Sequence, residues 1–437
     1  MQKHWERHPK AETLVLELLK EYGACNVEIQ ELEEALYRET STRLLDWVDH
    51  IVCDLNETDL LAVGYELHIH AESYRLYHHP GAQLPRIALS DVRGVAVSCD
   101  SVEHFLMVRG LQREIEGAPL SVFRRAEVSR EGEVSLWCVE RRGTERIEMN
   151  PSPSMETIHY CIQLWRTRPR PTIGEEEALQ WTLHLAQQIV EMVGQDCATC
   201  LIMQVEREYW EARNHAGQLQ KDRQDRLGMG WANHDHHTFR SGRQCFRQLV
   251  HLFEILGFHC RERYWAGQEA GWGAQIMENS RTHHVVFLDC DLDPNEVDID
   301  FAHEPLPELD HVGTIGLWCG LHGESILKAG MHHLEAQFLF DALRDSLDTY
   351  GVGMMEPFSK FPYLKQAFTK GERWPVAPER IEHLLIKKLI TEEQAKDFLE
   401  NGAVGSHLEN LQRTEGYKGF NQKNVSFIIK KTDPRSL

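Results

Sequence analysis

The sequence predicts an α+β protein: an N-terminal mixed α/β domain followed by a C-terminal domain of paired βαβββ modules with additional helices. Three observations carry this. Short runs alternate apolar and polar residues with the period of a half-buried strand. Between them lie segments whose apolar residues recur near the 3.6 period of an amphipathic helix. After about residue 230, a strand followed by a helix and further strands occurs twice. The 437 residues are about three times the ~150-residue domain prior, and the boundaries drawn are 1–171 (N-terminal domain), 172–229 (helical connector) and 230–437 (metal-binding domain).

Residues 10–60 read as helical, with Leu14, Leu18, Ile29, Leu32, Leu36 and Leu44 near the helical period. From 61 to 150 the pattern is strand-like, as in "YELHIHAESYRLYHH", "GVAVSC" and "EVSLWCVERR". The stretch from Asn150 to Pro171, with four prolines, reads as a connecting segment. Glu175 to about Arg226 is helical, and its charged end is expected across the surface. The first later module is the strand "NHDHHTFRS", the helix "GRQCFRQLVHLFEILGF" and three strands, "HCRERYWAG", "GWGAQIMEN" and "HHVVFLDCD". The second opens on "MHHLEAQF" and the helix "LFDALRDSLDTYG"; "GSHLENLQR" and "NVSFIIKK" add strands, with helices near 377–390 and 391–401 between. Thr391 is a helix N-cap signal.

Composition narrows the function. Lys+Arg 47 against Asp+Glu 68 give a net charge of −21, which disfavours nucleic acid or an anionic membrane as partner. No apolar run approaches the ~20 residues of a membrane span, and the N-terminus lacks a secretory core, so a soluble cytoplasmic protein is expected. Eleven scattered cysteines read as reduced thiols. Cys197 and Cys200 have C-x-x-C spacing, but no second pair completes a zinc site and they sit in a helical stretch. No phosphate-binding glycine loop and no G-x-S-x-G nucleophile motif is present.

The histidines are more informative. Alternate strand residues share a face, so His234, His236, Thr238 and Arg240 point one way, and Asp235, His237 and Phe239 the other. In the second module His333 and Glu335 share a face. Were the modules to form one curved sheet, His236, His333 and a carboxylate would make a two-histidine, one-carboxylate set, which leaves positions on Fe(II) open for a chelating substrate and O2. The His-rich segments at 68–70 and 78–81, with "DWVDHIV" before them, read either as exposed strand and turn histidines or as a degenerate module holding another metal.

"DHHTFR" (Asp235 to Arg240) resembles the Asp-His-x-x-Phe-Arg signature of the 2-oxoadipate dioxygenase/decarboxylase (hydroxyglutarate synthase) family, Fe(II) enzymes related to the vicinal oxygen chelate superfamily. "HHLEAQ" (His332 to Gln337) is similar to the family's Asn-His-Leu-Thr strand, and "GSHLENLQR…GYKGF" (Gly405 to Phe420) to its Gly-Ser-Tyr-Ile-Glu-Phe-x-x-Arg segment and Gly-Phe turn. The resemblance covers roughly 230–437. It implies a vicinal-oxygen-chelate-like fold, His236, His333 and Glu409 as metal ligands, Fe(II) as the metal, and a small 2-oxo or hydroxy carboxylic acid with O2 as reactants. His332, Glu335, His407 and Asn410 depart from the family's residues, so the pocket lining differs. Arg240 is placed to grip a substrate carboxylate with its planar fork; Arg413 either does the same or pairs with an acidic neighbour. Glu335 is an alternative to Glu409, and His234 to His236. Two rival readings stand beside the oxygenase. One is an isomerase, lyase or hydrolase of the same fold using Zn, Mn or Ni; the other is a non-catalytic ligand-binding or interaction protein, recruiting a partner through its N-terminal domain and the charged helix near 206–226.

Overall fold

The computed structural model describes residues 4–421 and 432–435; the expected strand "NVSFIIKK" lies outside them. Two helices open the chain, α1 (Pro9–Cys25) and α2 (Val27–Ala35). Asn26 separates them. Its side-chain oxygen caps α2 by accepting from Glu28 N, while its amide donates to Val134 O in the sheet below.

Eight strands form the N-terminal sheet: β1 (Val48–Cys53), β2 (Glu66–His70), β3 (Arg75–His78), β4 (Arg86–Leu89), β5 (Arg93–Ser98), β6 (Ile115–Glu116), β7 (Phe123–Glu131) and β8 (Val134–Arg141). Helix α3 (Glu57–Ala62) follows β1 and α4 (Val102–Val108) follows β5. The strand order is β2-β3-β4-β1-β5-β8-β7-β6, with β1 and β5 antiparallel at the centre. This half is therefore itself a pair of βαβββ modules.

A helical layer comes next: α5 (Met155–Arg166), α6 (Glu175–Val193), α7 (Gln195–Glu211) and α8 (His215–Asp225). The C-terminal sheet then repeats the first. Strand β9 (His234–Arg240) is followed by α9 (Phe246–Ile255), β10 (His259–Trp265), β11 (Trp272–Asn279) and β12 (His284–Asp291). After α10 (Thr314–His322), the second module runs through β13 (His333–Gln337), α11 (Phe340–Asp348), β14 (Ser359–Phe361), β15 (Leu364–Phe368) and β16 (Glu372–Trp374). Helices α12 (Pro378–Ile386) and α13 (Glu392–Asn401) are inserted before the last strand, β17 (Ala403–Arg413). The order β10-β11-β12-β9-β13-β17-β15-β14, with β16 also paired to β17, follows the same path as the N-terminal sheet. The fold is two sheets of paired βαβββ modules, of the vicinal-oxygen-chelate type, joined by a helical layer.

Each sheet buries both faces. Phe239, Leu334, Leu408 and Val286 face the helices in one core with α5, α6, α7 and α9. The opposite, concave face of the C-terminal sheet carries His236, Thr238 and Arg240 and is closed by Trp318, Trp374 and Phe420.

Three expectations need correction. The helical reading of 10–60 overruns, because β1 begins at Val48, where "VDHIVC" replaces leucines with β-branched residues. The proline-rich stretch encloses α5 instead of forming a bare connection: Pro151 and Pro153 precede the N-cap Ser154, whose hydroxyl accepts from Thr157 N, and Pro169 and Pro171 lie beyond its end. The charged helix α8 lies on the surface along one face only: His215, Gln218 and Asp222 are exposed, whereas Gln220 and Arg223 are buried and donate to the backbone oxygens of Thr40 and Glu39, so polar side chains here seal a tight turn of backbone. Among the described residues no helix is long and apolar enough to cross a membrane.

Candidate metal centre

Three central strands build the site. β9 and β13 pair antiparallel with Thr238 opposite His333 and His236 opposite Glu335; β13 and β17 pair parallel with Glu335 beside Glu409. Register alone therefore sets His236, His333 and Glu409 around one point of the concave face. Each offers a ligand atom, and the three atoms lie within 4.8 Å of one another. His333 Nε2 is 2.9 Å from Glu409 Oε2 and 2.8 Å from the Thr238 hydroxyl. Asp235, His236 and Glu335 form a second group of the same tightness, and His236 belongs to both.

The backbone explains why Asp235 is there. The pairing of β9 with β13 skips from His236 to His234, leaving Asp235 as a bulged residue. The bulge breaks the alternation that would send Asp235 to the helix side, and its Oδ1 stands 3.2 Å from His236 Nδ1. Arg413 Nη2 reaches the same carboxylate at 3.2 Å, with Nη1 on the other oxygen. Of the two roles open for Arg413, the ion pair with an acidic neighbour is the one present. His234 turns away from the group: its Nδ1 meets Trp231 O at 2.8 Å and its ring stacks on His284.

The site is crowded with negative charge. Glu335 and Glu409 are both buried, and the Gln366 amide donates to each, at 3.3 and 3.2 Å. Burial and the nearby Glu409 push the Glu335 carboxyl up to about 8, against the pull of His236, whose Nδ1 lies 2.9 Å from Glu335 Oε1. His236 responds in the opposite sense: burial opposes its protonation, but the Glu335 carboxylate raises it to about 10. Two adjacent buried carboxylates that share one amide, with one imidazole against each, are poorly compensated. A divalent cation held by the imidazoles and carboxylates would offset that charge, so the donor set fits a metal.

Arg240 lies on the same face two strand steps beyond Thr238's neighbour His236. Its guanidinium is 5% exposed, lies 5.5 Å from the Trp318 ring and comes no nearer than 3.8 Å to Asp289. Nε and Nη1 have no hydrogen-bond partner, a costly state for a buried cation. Burial pushes Asp289 up to about 7, with Arg240 pulling it down. The departures His332 and His407 line the same region, their rings 5.3 Å apart, each with an unpartnered Nε2. Gln366 and Trp318 were not singled out in the sequence. Gln366 sits on a five-residue strand too short for a pattern, and Trp318 on a helix whose run of apolar residues is the one signal it leaves.

The N-terminal sheet carries the same frame without the donors. Its pairing also skips a residue, between Val48 and His50, so Asp49-His50 occupies the place of Asp235-His236. Arg141 on β8 grips Asp49 through Nε and Nη2 at 2.6 and 2.7 Å, as Arg413 on β17 grips Asp235. By the same register, Gly94 stands where His333 stands, Ala96 for Glu335 and Trp137 for Glu409. A Cβ on Gly94 would lie 2.6 Å from the Trp137 ring, so the indole fills the space the donors line in the other half. Asp49 also takes Arg86 and His50. Of the histidine-rich region, His68 and His78 are stacked on each other at 4.6 Å and His68 meets Glu145; neither joins a donor group. Trp137→Ala is expected to destabilise the protein by about 3–5 kcal/mol in denaturant unfolding while metal content stays unchanged.

No protein-family model and no curated protein matches the chain. Solved structures do. A mutant of 4-hydroxymandelate synthase from Streptomyces coelicolor aligns over 90% of this chain and 98% of its own, at 11% identity and a TM-score of 0.29. Methylmalonyl-CoA epimerase from Mycobacterium tuberculosis aligns over 42% and 89%, at 11% identity and 0.24. A putative hydrolase from Shewanella frigidimarina aligns over 50% and 91%, at 13% identity and 0.31. Chemistry has to be read from this chain's own residues.

Proposed function

We propose that the C-terminal sheet binds a divalent metal through His236, His333 and Glu409 and that the protein is an Fe(II)- and O2-dependent oxygenase of a small 2-oxo or hydroxy carboxylic acid. One observation supports this above the others: a two-histidine, one-carboxylate group shares one face with a buried guanidinium, Arg240, two of whose nitrogens have no hydrogen-bond partner among the described residues. Bound there, iron(II) would supply open positions for a chelating acid and for O2. The chain's own groups do the rest. Asp235, itself held by Arg413, orients the His236 ring. Gln366 fixes both carboxylates. Arg240 takes the substrate's second carboxylate, and Trp318, Phe287 and Phe420 keep water out of the pocket.

Purified protein reconstituted with Fe(II) is expected to consume O2 when given short 2-oxo acids, and to release CO2. An oxygen electrode reading no uptake over that series, with iron bound, would overturn the oxygenase reading.

A second reading has its own support in the position of Glu335. A carboxyl beside the donor group, with Oε1 2.9 Å from His236 Nδ1 and pushed up to about 8 by burial, is placed to exchange a proton with a substrate, as an isomerase or lyase using Zn, Mn or Ni would need. Turnover without O2 under a nitrogen atmosphere would favour it.

A further inference from the structure

A cleft of about 1060 Å³ separates the two sheets and the helical layer, and His236 stands on its wall. A second polar cluster lies on the same cleft. Helix α7 sends Arg207 toward the start of β9 and β12, where its side chain is 9% exposed. Among the described residues its one hydrogen bond is to His237 Nε2, at 3.3 Å. The carboxylates around it are committed elsewhere. Asp100 accepts from Trp231 N at 2.8 Å, Glu211 from Trp231 Nε1 at 3.0 Å, and Glu208 from Gln204 at 2.9 Å besides pairing with Arg166. Asp100, Glu208 and Glu211 lie near enough to favour the charge of Arg207, but among the described residues none is in ion-pair contact with it, which leaves the guanidinium open to an anion seated directly on it.

Three imidazoles complete the recess. The rings of His234, His237 and His284 pack at 5.2 to 5.8 Å. Because Arg207 donates to Nε2 of His237, the ring proton of His237 is on Nδ1, which has no acceptor. His284 is 5% exposed, meets the Thr282 hydroxyl through Nδ1, and leaves Nε2 without a partner. A metal does not suit the recess, since an arginine already occupies one ring nitrogen. Arg207, His234 and His284 all line the cleft.

We propose that Arg207 and His284, with His234 beside them, form an oxyanion subsite that takes the phosphate or carboxylate group of a small molecule in the cleft. His234, His284 and Arg207 line the same cleft as His236, so a molecule anchored here lies in the space onto which the metal centre opens. The inference deepens the substrate side of the oxygenase reading, but its geometry does not depend on the metal or on O2.

The test is calorimetric titration of the full-length protein with inorganic phosphate and, separately, with glutarate. Saturable binding of at least one probe is expected. Arg207→Gln and His284→Asn should each weaken it at least about tenfold, as loss of a charge-assisted hydrogen bond implies, and Arg207→Lys should fall between. Arg281→Gln, at a cation on the same cleft that is paired with Asp196, should leave that binding unchanged, which separates a built subsite from the general charge of the cleft. Binding of phosphate alone assigns a phosphorylated ligand, and of glutarate alone an organic acid. If neither probe saturates, or if both folded variants bind as wild type does, the subsite is refuted. Metal content and O2 uptake, measured on the same variants, report on the oxygenase reading independently.

Discussion

Glu409→Ala is expected to fold and to lose its metal. Elemental analysis after dialysis should find occupancy near one in the wild type and near zero in the variant. Removing an outer partner of a metal ligand already costs about 10–100-fold in affinity, and Glu409 is placed as a ligand itself, its Oε2 2.9 Å from His333 Nε2. Folding should survive, because the substitution removes one of two adjacent buried carboxylates and leaves Gln366 still bonded to Glu335. His236→Ala should behave likewise. Since His236 belongs to both donor groups, its loss cannot distinguish them, whereas Glu335→Gln can. Metal retained in Glu335→Gln and lost in Glu409→Ala selects the set His236, His333, Glu409. The reverse pattern selects Asp235, His236, Glu335. Full occupancy in both His236→Ala and Glu409→Ala would remove the metal centre altogether.

The sequence made the C-terminal face legible because strand alternation and register are nearly deterministic once strands are assigned. His236, His333 and Glu409 come from strands 97 and 76 positions apart by numbering (236 to 333, 333 to 409), yet each strand was readable from its own alternation. Local irregularity was not readable. Strict alternation sends Asp235 to the helix side, and only the skipped residue opposite Glu335 and Ala336 brings it to His236 and Arg413. For the same reason Arg413 could not be assigned between substrate and ion pair. The N-terminal architecture was hidden by a different cause. Its first strand retains Asp49-His50 and its last retains Arg141, but Gly94, Ala96 and Trp137 replace the donors. What persists is a dipeptide and an arginine 92 residues apart from its partner, too little to register as a repeat.

Arg240→Ala should raise the KM for the carboxylic acid about 10–100-fold, with kcat little changed and the metal retained. A hydrogen bond to a charged group contributes about 1.5–3 kcal/mol, and at 1.4 kcal/mol per factor of ten that gives the range. The effect should fall on KM because Arg240 sits along the strand from the ligand His236 and has no contact with the donor group, so it holds the end of the molecule remote from the reacting carbon. A purely structural arginine would behave differently. It would have a carboxylate in hydrogen-bond contact, and its removal would lower the melting temperature. Here the nearest carboxylate is Asp289, 3.8 Å from Nε, and two guanidinium nitrogens have no partner. Replacing such a group with alanine leaves Asp289 without its ion-pair partner, but that carboxyl, already pushed up to about 7 by burial, can take a proton, so the loss of stability should be small. Arg240→Lys should recover only part of the lost affinity, because an ammonium restores charge without the planar fork. A wild-type KM in Arg240→Ala, measured with iron fully bound, would place the substrate's second carboxylate elsewhere in the cleft.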